Sequence, residues 1–141
     1  MASVSDDLKR VPLLSGLNDR QRRKLARLCR ERQVNAGTTV VKEGLMSGVG
    51  FFVVAEGEAA VTIGGKEVAH LGPGDHFGEL ALITKQERSA TVTAQTPMRC
   101  LEIQFWDFRD FAHDNPDVMW KLLEHVVEVL SSNERAPVAT T

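Results

Sequence analysis

The chain has 141 residues, of which 43% are hydrophobic and 26% charged, a composition typical of one globular domain with a buried core. Its formal net charge of −2 excludes a protein-wide basic field that would attract nucleic acid. The N-terminus lacks an apolar signal segment, and no apolar run approaches the roughly 18 residues needed to span a bilayer. Cys29 and Cys100 form no CxxC pair and indicate reduced thiols, so we expect a cytoplasmic protein without membrane contact.

The N-terminal part predicts one helix that follows a disordered end. Residues 1–7 are small and polar, and we expect them to be disordered. Asn18 and Gln21 have the spacing of a capping box, in which two side chains satisfy backbone groups at a helix start. Apolar residues at helical spacing, including Leu25, extend the predicted helix over about Asp19–Glu31.

Short runs of apolar and β-branched residues follow, and glycines or polar residues separate them. Gly64 and Gly65 lie between two runs, and glycine accepts the positive φ that a two-residue hairpin turn requires. Many short strands at regular spacing favour an antiparallel sandwich or barrel over a parallel sheet. The predicted strands are Thr38–Val41, Phe51–Val54, Ala59–Ile63, Val68–Leu71, Ala90–Ala94 and Cys100–Ile103.

Helical signals return in the last third of the chain. A short helix is predicted over Trp106–Ala112. The run Asn115-Pro116-Asp117 then has an Asx N-cap, a proline at the first helical position and an acid in the first turn. This second helix should continue to about Asn133.

These elements predict a mainly β protein with flanking helices. The expected fold is an antiparallel double-stranded β-helix, or jelly-roll β-roll, between an N-terminal helix and a long C-terminal helix. One domain would occupy residues 8–134, and residues 135–141 would form a disordered tail.

The segment from Gly78 to Ala90 combines a site for an anion with a site for a hydrogen-bond donor. Gly78 lets a ligand approach the backbone, and the N–H groups that follow it could form a helix N-terminus suited to an anion. Arg88 can hold a phosphate through two parallel N–H bonds, and Ser89 adds a hydroxyl donor. Glu79 accepts hydrogen bonds only, so it requires a donor such as a sugar hydroxyl. A nucleotide with a free ribose hydroxyl satisfies both requirements.

Two motifs in this segment resemble the phosphate-binding cassette of the cyclic-nucleotide-binding domain family. Phe77-Gly78-Glu79-Leu80-Ala81-Leu82 is similar to its F-G-E-[LIV]-A-L part, and Arg88-Ser89-Ala90-Thr91 to its R-[SAT]-A-T part. Many members have proline before the arginine. Here Gln86-Glu87 precede it, which resembles the catabolite activator type. The resemblance covers roughly Leu8 to Leu130.

The resemblance implies a regulatory sensor that binds a 3′,5′-cyclic nucleotide, with no cofactor and no catalysis. Glu79 would take the ribose 2′-hydroxyl, and Arg88 would pair with the exocyclic phosphate oxygens. The other ligand-binding residues implied around the phosphate are Gly78, Leu80, Ala81, Ser89 and Ala90.

The resemblance also bears on the base and on the C-terminal helix. Ser89 permits adenine, whereas threonine there is often linked with guanine, so cAMP is expected in preference to cGMP. Asn133 falls where the catabolite activator places a base-reading polar residue, although a frayed helix end is the alternative. The helix itself would close over the base when the cassette closes on the phosphate.

The C-terminal helix also predicts a dimer seam. Met119, Leu123, Val126 and Leu130 recur at four- and three-residue spacing, like a coiled-coil stripe. The alternative is packing of the helix on its own β-roll, and both interpretations are compatible because further apolar residues widen the stripe. The chain ends soon after this helix, so a helix-turn-helix and direct DNA binding are not expected, and the effector protein stays unidentified.

A basic run gives a weaker signal. Seven basic residues lie between Arg20 and Arg32, which suits a nucleic acid, an acidic partner or simply a solvated helix face. The solvated face is favoured because no aromatic residue interleaves and the whole chain is slightly acidic.

Two other functions compete with nucleotide sensing. A cupin-like metalloenzyme would use histidines such as His70 and His76 together with Glu79, but their spacing departs from a metal-binding strand pattern. A domain of the same fold that has lost its ligand and serves dimerisation or docking is the other alternative.

Overall fold

The N-terminal part forms more helix than the sequence predicts. A computed structural model describes residues 3–42, 50–78 and 90–135, except the side chains of residue 126 and of residues 129–135. Residues 4–7 were expected to be disordered, and this is wrong because they form the start of a helix that buries Asp7. The helices are α1 (Val4–Lys9), α2 (Asp19–Leu28), α3 (Phe105–Asp114) and α4 (Pro116–Arg135), and a 3₁₀ turn covers Pro12–Leu14.

Helix α2 begins as predicted and ends earlier. The Asn18 side chain accepts from the Gln21 backbone N–H at 2.8 Å, and the Gln21 side chain accepts from the Asn18 N–H at 2.9 Å, which completes the capping box. The predicted end at Glu31 is wrong because Cys29 is extended and the next residues form a strand. Pairing with a distant strand therefore outweighs the helical propensity of this charged segment.

The described residues contain eight strands, and two of these were not predicted. Arg30–Val34 is polar and shows little β signal, and His76–Phe77 has only two residues. The six predicted strands are present with ends shifted by up to two residues. The strands are β1 (Arg30–Val34), β2 (Thr39–Val41), β3 (Gly50–Glu56), β4 (Ala59–Ile63), β5 (Lys66–Leu71), β6 (His76–Phe77), β7 (Thr91–Ala94) and β8 (Met98–Gln104).

The strands make two four-stranded sheets, in the orders β1-β8-β3-β6 and β2-β7-β4-β5, and every pair is antiparallel. Gly64 and Gly65 have φ of 60° and 81° and form the predicted hairpin turn between β4 and β5. Two antiparallel sheets with helices at both ends confirm the predicted β-roll.

Strand β3 separates two hydrophobic cores because its side chains alternate between them. Phe52 and Val54 face the inter-sheet core, which both sheets supply. Phe51 and Val53 face the helical core, which contains residues from α1, α2, α3 and α4, such as Leu25. Strand β3 is thus buried on both faces, which explains its continuous apolar sequence.

Helices α3 and α4 pack on the helical core. Val118 and Leu122 of α4 are each 2% exposed, so this face of the helix belongs to its own domain. The Asn115 side chain between the helices accepts from Gln21 Nε2 at 2.8 Å and donates to the Phe111 carbonyl at 2.8 Å, which ties α2 to the α3–α4 junction. Among the helices of the described ranges, none is both long and apolar enough to cross a membrane.

Candidate functional site

The described residues contain the two ends of the predicted binding segment. Gly78 and Ala90 have defined positions, and the backbone of Asn133 lies in α4. Glu79, Leu80, Ala81, Arg88 and Ser89 lie outside the described residues, as does the side chain of Asn133. The structure therefore describes the residues on either side of the binding segment and the helix backbone at Asn133.

Gly78 marks the end of β6 with a backbone conformation that favours glycine. Its φ is +87°, a value that residues with a Cβ rarely adopt. The residue before it, Phe77, pairs with Phe52 of β3, and the two rings stack with centroids 4.9 Å apart. The segment 79–89 thus begins from a fixed point at the edge of the first sheet.

Ala90 fixes the other end of the segment. It is 2% exposed, lies directly before β7, and belongs to the inter-sheet core together with Phe77. Strand β7 lies within the second sheet, between β2 and β4. The segment therefore connects an edge strand of the first sheet with a strand of the second sheet. The residues at its two ends, Phe77 and Ala90, are both buried in the inter-sheet core.

A tight turn positions β6 and hence Gly78. The Gly72 N–H donates to Asp75 Oδ2 at 2.8 Å, which closes the turn. The Val54 N–H donates to the Asp75 carbonyl at 2.8 Å, and the Gly74 N–H donates to the Val54 carbonyl at 2.9 Å. This turn ties the approach to the binding segment to the central strand β3.

A histidine pair connects the site to the C-terminal helix, and sequence reasoning missed it. The His76 ring in β6 lies edge-on to the His125 ring in α4, with centroids 4.9 Å apart, and 5.4 Å from the ring of Phe51. His76 thus bridges the strand that leads into Gly78 and the helix that was expected to move. No local pattern could reveal this contact, since β6 and α4 are far apart along the chain.

The histidines bear on the metal alternative. Over the ranges that the structure describes, no three His, Cys, Asp or Glu side chains are grouped as a metal site would require. His70 Nε2 lies 3.2 Å from Glu58 Oε1 on the surface, while His76 contacts aromatic rings.

The comparison with known families identifies the domain. The sequence pattern of the "Cyclic nucleotide-binding domain" matches residues 31–115, which include the whole segment from Gly78 to Ala90. The chain belongs to this family. The resemblance seen in the cassette motifs is thereby confirmed.

Two relatives of the chain are named as regulatory subunits of a protein kinase. The chain is 46% identical over 94 residues to a cAMP-dependent protein kinase regulatory subunit of Yarrowia lipolytica, covering 65% of the chain and 25% of that protein. It is 38% identical over 130 residues to the corresponding protein of Eremothecium gossypii, covering 92% of the chain and 26% of that protein. The chain thus spans about a quarter of the length of these relatives.

A solved structure agrees with the fold. The catabolite activator protein of Thermus thermophilus superimposes with a TM-score of 0.80 at 26% identity, covering 87% of this chain and 60% of that one. The catabolite activator type, which the sequence motifs resemble, is thus among the solved structures that share this fold.

Proposed function

We propose that the chain binds a 3′,5′-cyclic nucleotide, cAMP in preference to cGMP, and acts as a regulatory sensor without catalytic activity. The observation that carries the proposal is the anchoring of the segment between Gly78 and Ala90. A positive φ at one end and a buried alanine at the other support a ligand-binding loop between the two sheets. The relatives named for cAMP support the choice of this nucleotide.

The proposed contacts divide the ligand into an anion and a sugar. Arg88 and Ser89 bind the cyclic phosphate together with backbone N–H groups near Gly78, Leu80 and Ala81, and Ala90 holds the end of this shell. In a separate contact, Glu79 accepts a hydrogen bond from the ribose 2′-hydroxyl. Asn133 contacts the adenine through its amide.

We further propose that binding is relayed to α4. Phosphate binding draws the segment inward, the apolar residues Leu80 and Leu82 move with it, and α4 docks over the base. The contact between His76 and His125 supports this route, because it joins the strand before Gly78 to α4 directly. The ligand drives the change only through its higher affinity for the closed arrangement.

A homodimer through α4 is also proposed, with a second copy of the chain as the partner. Exposed apolar side chains line α4 away from its buried face, and their spacing is that of a helix–helix seam. These residues and their exposed fractions are Met119 (46%), Trp120 (64%), Leu123 (52%) and Val127 (53%). The predicted stripe residues Val126 and Leu130 have side chains outside the described residues.

The sensor would act on an effector protein in the cytoplasm, without binding DNA or membrane. Because two relatives are named regulatory subunits of a protein kinase, a kinase is one candidate effector. The free thiols Cys29 and Cys100 support a reducing compartment.

Isothermal titration calorimetry with cAMP, cGMP and 5′-AMP tests the proposal. We expect micromolar or better affinity for cAMP, weaker binding of cGMP, and little binding of 5′-AMP, which lacks the cyclic phosphate. The absence of heat and of a thermal shift with both cyclic nucleotides would contradict the proposal. A dimer that ignores both would instead support a ligand-free docking module, and tightly bound metal in the pure protein would support a metalloenzyme.

A further inference from the structure

Helix α2 carries a row of cations on its exposed side, which we call the arginine stripe. On a helix, residues three and four apart lie on one face, and Leu25 lies on the opposite, buried face. The stripe continues into the start of β1. Its members, all exposed, are Arg20, Arg23, Lys24, Arg27 and Arg30.

Packing and capping hold the helix that carries the stripe in place. Leu25 is fully buried, and the capping box of Asn18 and Gln21 fixes the first turn of α2. Arg22 is itself buried, donating to Asp19 Oδ1 at 2.5 Å and to the Leu17 carbonyl at 3.3 Å, so it belongs to the packing rather than to the stripe. The stripe cations can therefore meet a partner without first ordering the helix.

Most of this charge has no counter-ion among the described residues. Among the described residues, no carboxylate lies within 4.0 Å of Arg20, Arg23, Arg27 or Arg30, while Lys24 lies 3.7 Å from Asp114. The pKa of Asp19 lies below its usual value, first because of its hydrogen bond with Arg22 and then because of the charges of Arg22, Lys9 and Arg23.

Charge is also segregated along the chain. Residues 20–32 contain seven basic residues and one acidic residue, a formal charge of +6. The remaining residues contain ten basic and eighteen acidic residues and carry −8, which together give the total of −2. A cationic helix on an otherwise acidic protein favours a partner that contacts this helix and little else.

The size and borders of the stripe limit the kind of anion. From Arg20 to Arg27 it is about 10 Å long, from a rise of about 1.5 Å per residue. Carboxylates border it, with Asp19 at one end, Asp114 beside Lys24 and the half-exposed Glu31 at the other end. A nucleic-acid duplex or a membrane extends well beyond this length and would meet the acidic remainder of the protein.

The stripe also lacks the features that nucleic acids and membranes use besides charge. Residues 20–32 contain no aromatic side chain on which a base could stack. The apolar residues of α2 pack against the helical core and leave no apolar face for insertion between lipids. Of the anionic partners considered, a short acidic segment of a protein fits the stripe best.

We propose that the arginine stripe docks an acidic segment of a protein partner, two to three helical turns long. Guanidinium groups bind carboxylates through two parallel hydrogen bonds, and glutamates at three- and four-residue spacing match the spacing of the stripe. The docking does not require the proposed nucleotide site, because none of the stripe residues lies in the segment from Gly78 to Ala90.

Binding of a model peptide to the full chain tests this proposal. The probe is a blocked peptide of about 12 residues with glutamates at three- and four-residue spacing, and its control carries glutamine at the same positions. Fluorescence anisotropy is measured at about 25 mM and about 250 mM salt, since screening weakens contacts between exposed charges. A short DNA duplex and phosphatidylserine vesicles are tested in parallel.

Two triple variants with equal charge changes separate the stripe from net charge. Arg20→Gln/Arg23→Gln/Arg27→Gln removes the stripe, whereas Lys42→Gln/Lys66→Gln/Arg109→Gln removes three exposed cations elsewhere. We expect salt-sensitive binding of the glutamate peptide that weakens roughly tenfold in the first variant and at most twofold in the second. Both variants should keep the wild-type melting temperature.

Three results would overturn the proposal: no binding of the glutamate peptide at low salt, equal weakening in the two variants, or binding of the duplex or the vesicles at least as tight as that of the peptide. Calorimetry with cAMP on the stripe variant keeps the two proposals distinct. Retained cAMP affinity with lost peptide binding supports a separate docking surface.

Discussion

The carboxylate of Asp7 in α1 accepts a hydrogen bond from Arg99 Nη2 in β8 at 2.7 Å, and both side chains are buried. Arg10 Nη2 donates to the other oxygen of Asp7 at 2.7 Å. Arg99 also donates to Glu31 and Glu56, each at 2.6 Å, so one guanidinium joins α1, β1, β3 and β8. Burial opposes the charge of Arg99, but its hydrogen bonds with Glu56, Asp7 and Glu31 raise its pKa above the usual range.

Replacing Asp7 should destabilise the domain. Asp7→Asn removes the buried negative charge and leaves Arg99 with only its two more exposed partners, so we expect a loss of about 3 kcal/mol in the free energy of unfolding. Urea denaturation measures this loss. Asp110→Asn, at an exposed position of α3, is the control and should change the free energy by less than about 0.5 kcal/mol. Equal effects of the two substitutions would contradict the structural role of the pair.

Replacing Arg88 should weaken cAMP binding. We expect Arg88→Ala to lose ~2–4 kcal/mol of binding free energy, because a charge-assisted contact with the phosphate disappears. Arg109→Ala removes an exposed arginine of α3 and should bind as the wild type does. Calorimetry on both variants, with thermal melts to verify folding, decides the outcome. An unchanged affinity in Arg88→Ala refutes the role proposed for this residue.

The contact between His76 and His125 should carry the nucleotide signal to α4. In the wild type we expect cAMP to change hydrogen exchange over residues 116–133, and in His125→Ala we expect a smaller change, because the ring contact is lost. His113→Ala is the matched control, since the side chain of His113 is 89% exposed. Identical protection with and without cAMP in the wild type would argue against coupling through the helix.

The exposed apolar face of α4 should hold a dimer. Leu123→Glu places a charge in the proposed seam, so we expect sedimentation to show a dimer for the wild type and a monomer for this variant. Val68→Glu changes a similarly exposed apolar residue, at 39% exposure on β5, and should leave the dimer intact. A wild-type chain that stays monomeric at high concentration would rule out this seam.

Alkaline pH should destabilise the fold through Cys29. Burial first, and the nearby charge of Glu31 second, raise the pKa of Cys29 from 9.0 to about 12. The folded protein therefore retains this proton where the unfolded chain releases it, so stability is full below about pH 9 and falls as the pH rises toward 12.

The slope of stability against pH measures this effect. One thiol contributes up to about 1.4 kcal/mol per pH unit to the fall above pH 9. Cys29→Ser removes the titrating group, so urea denaturation between about pH 9 and about pH 10.5 should show a shallower slope than in the wild type. Equal slopes would mean that Cys29 does not hold its proton in the folded state.

Local signals in the sequence were sufficient for most elements. The capping box at Asn18, the turn at Gly64-Gly65 and the start of α4 at Pro116 depend on backbone geometry within a few residues, and each was predicted correctly. Strand β1 and helix α1 were missed because they depend on long-range partners. Strand β1 pairs with β8, and the buried Asp7 of α1 requires Arg99.

The candidate site, too, has features that local sequence predicts and features that depend on distant contacts. The motif between Gly78 and Ala90 was enough to predict the family, because glycine, glutamate and arginine at this spacing suit a ligand that has both an anion and a hydroxyl group. The roles of Glu79, Leu80, Ala81, Arg88, Ser89 and Asn133 stay predictions. The contact between His76 and His125 was not predictable, since nothing near His76 in sequence indicates His125.

Short-range signals were enough to predict the β-roll, the starts of α2 and α4 and the cyclic-nucleotide-binding motif, because periodicity, caps and motif spacing act over short stretches of chain. Which of the described charges are neutralised depends on the folded domain. It buries Asp7 against Arg99 and leaves Arg20, Arg23 and Arg27 exposed, although all are charged side chains in helical or strand segments. Burial and pairing depend on which distant segments meet, and that is set by packing of the whole domain.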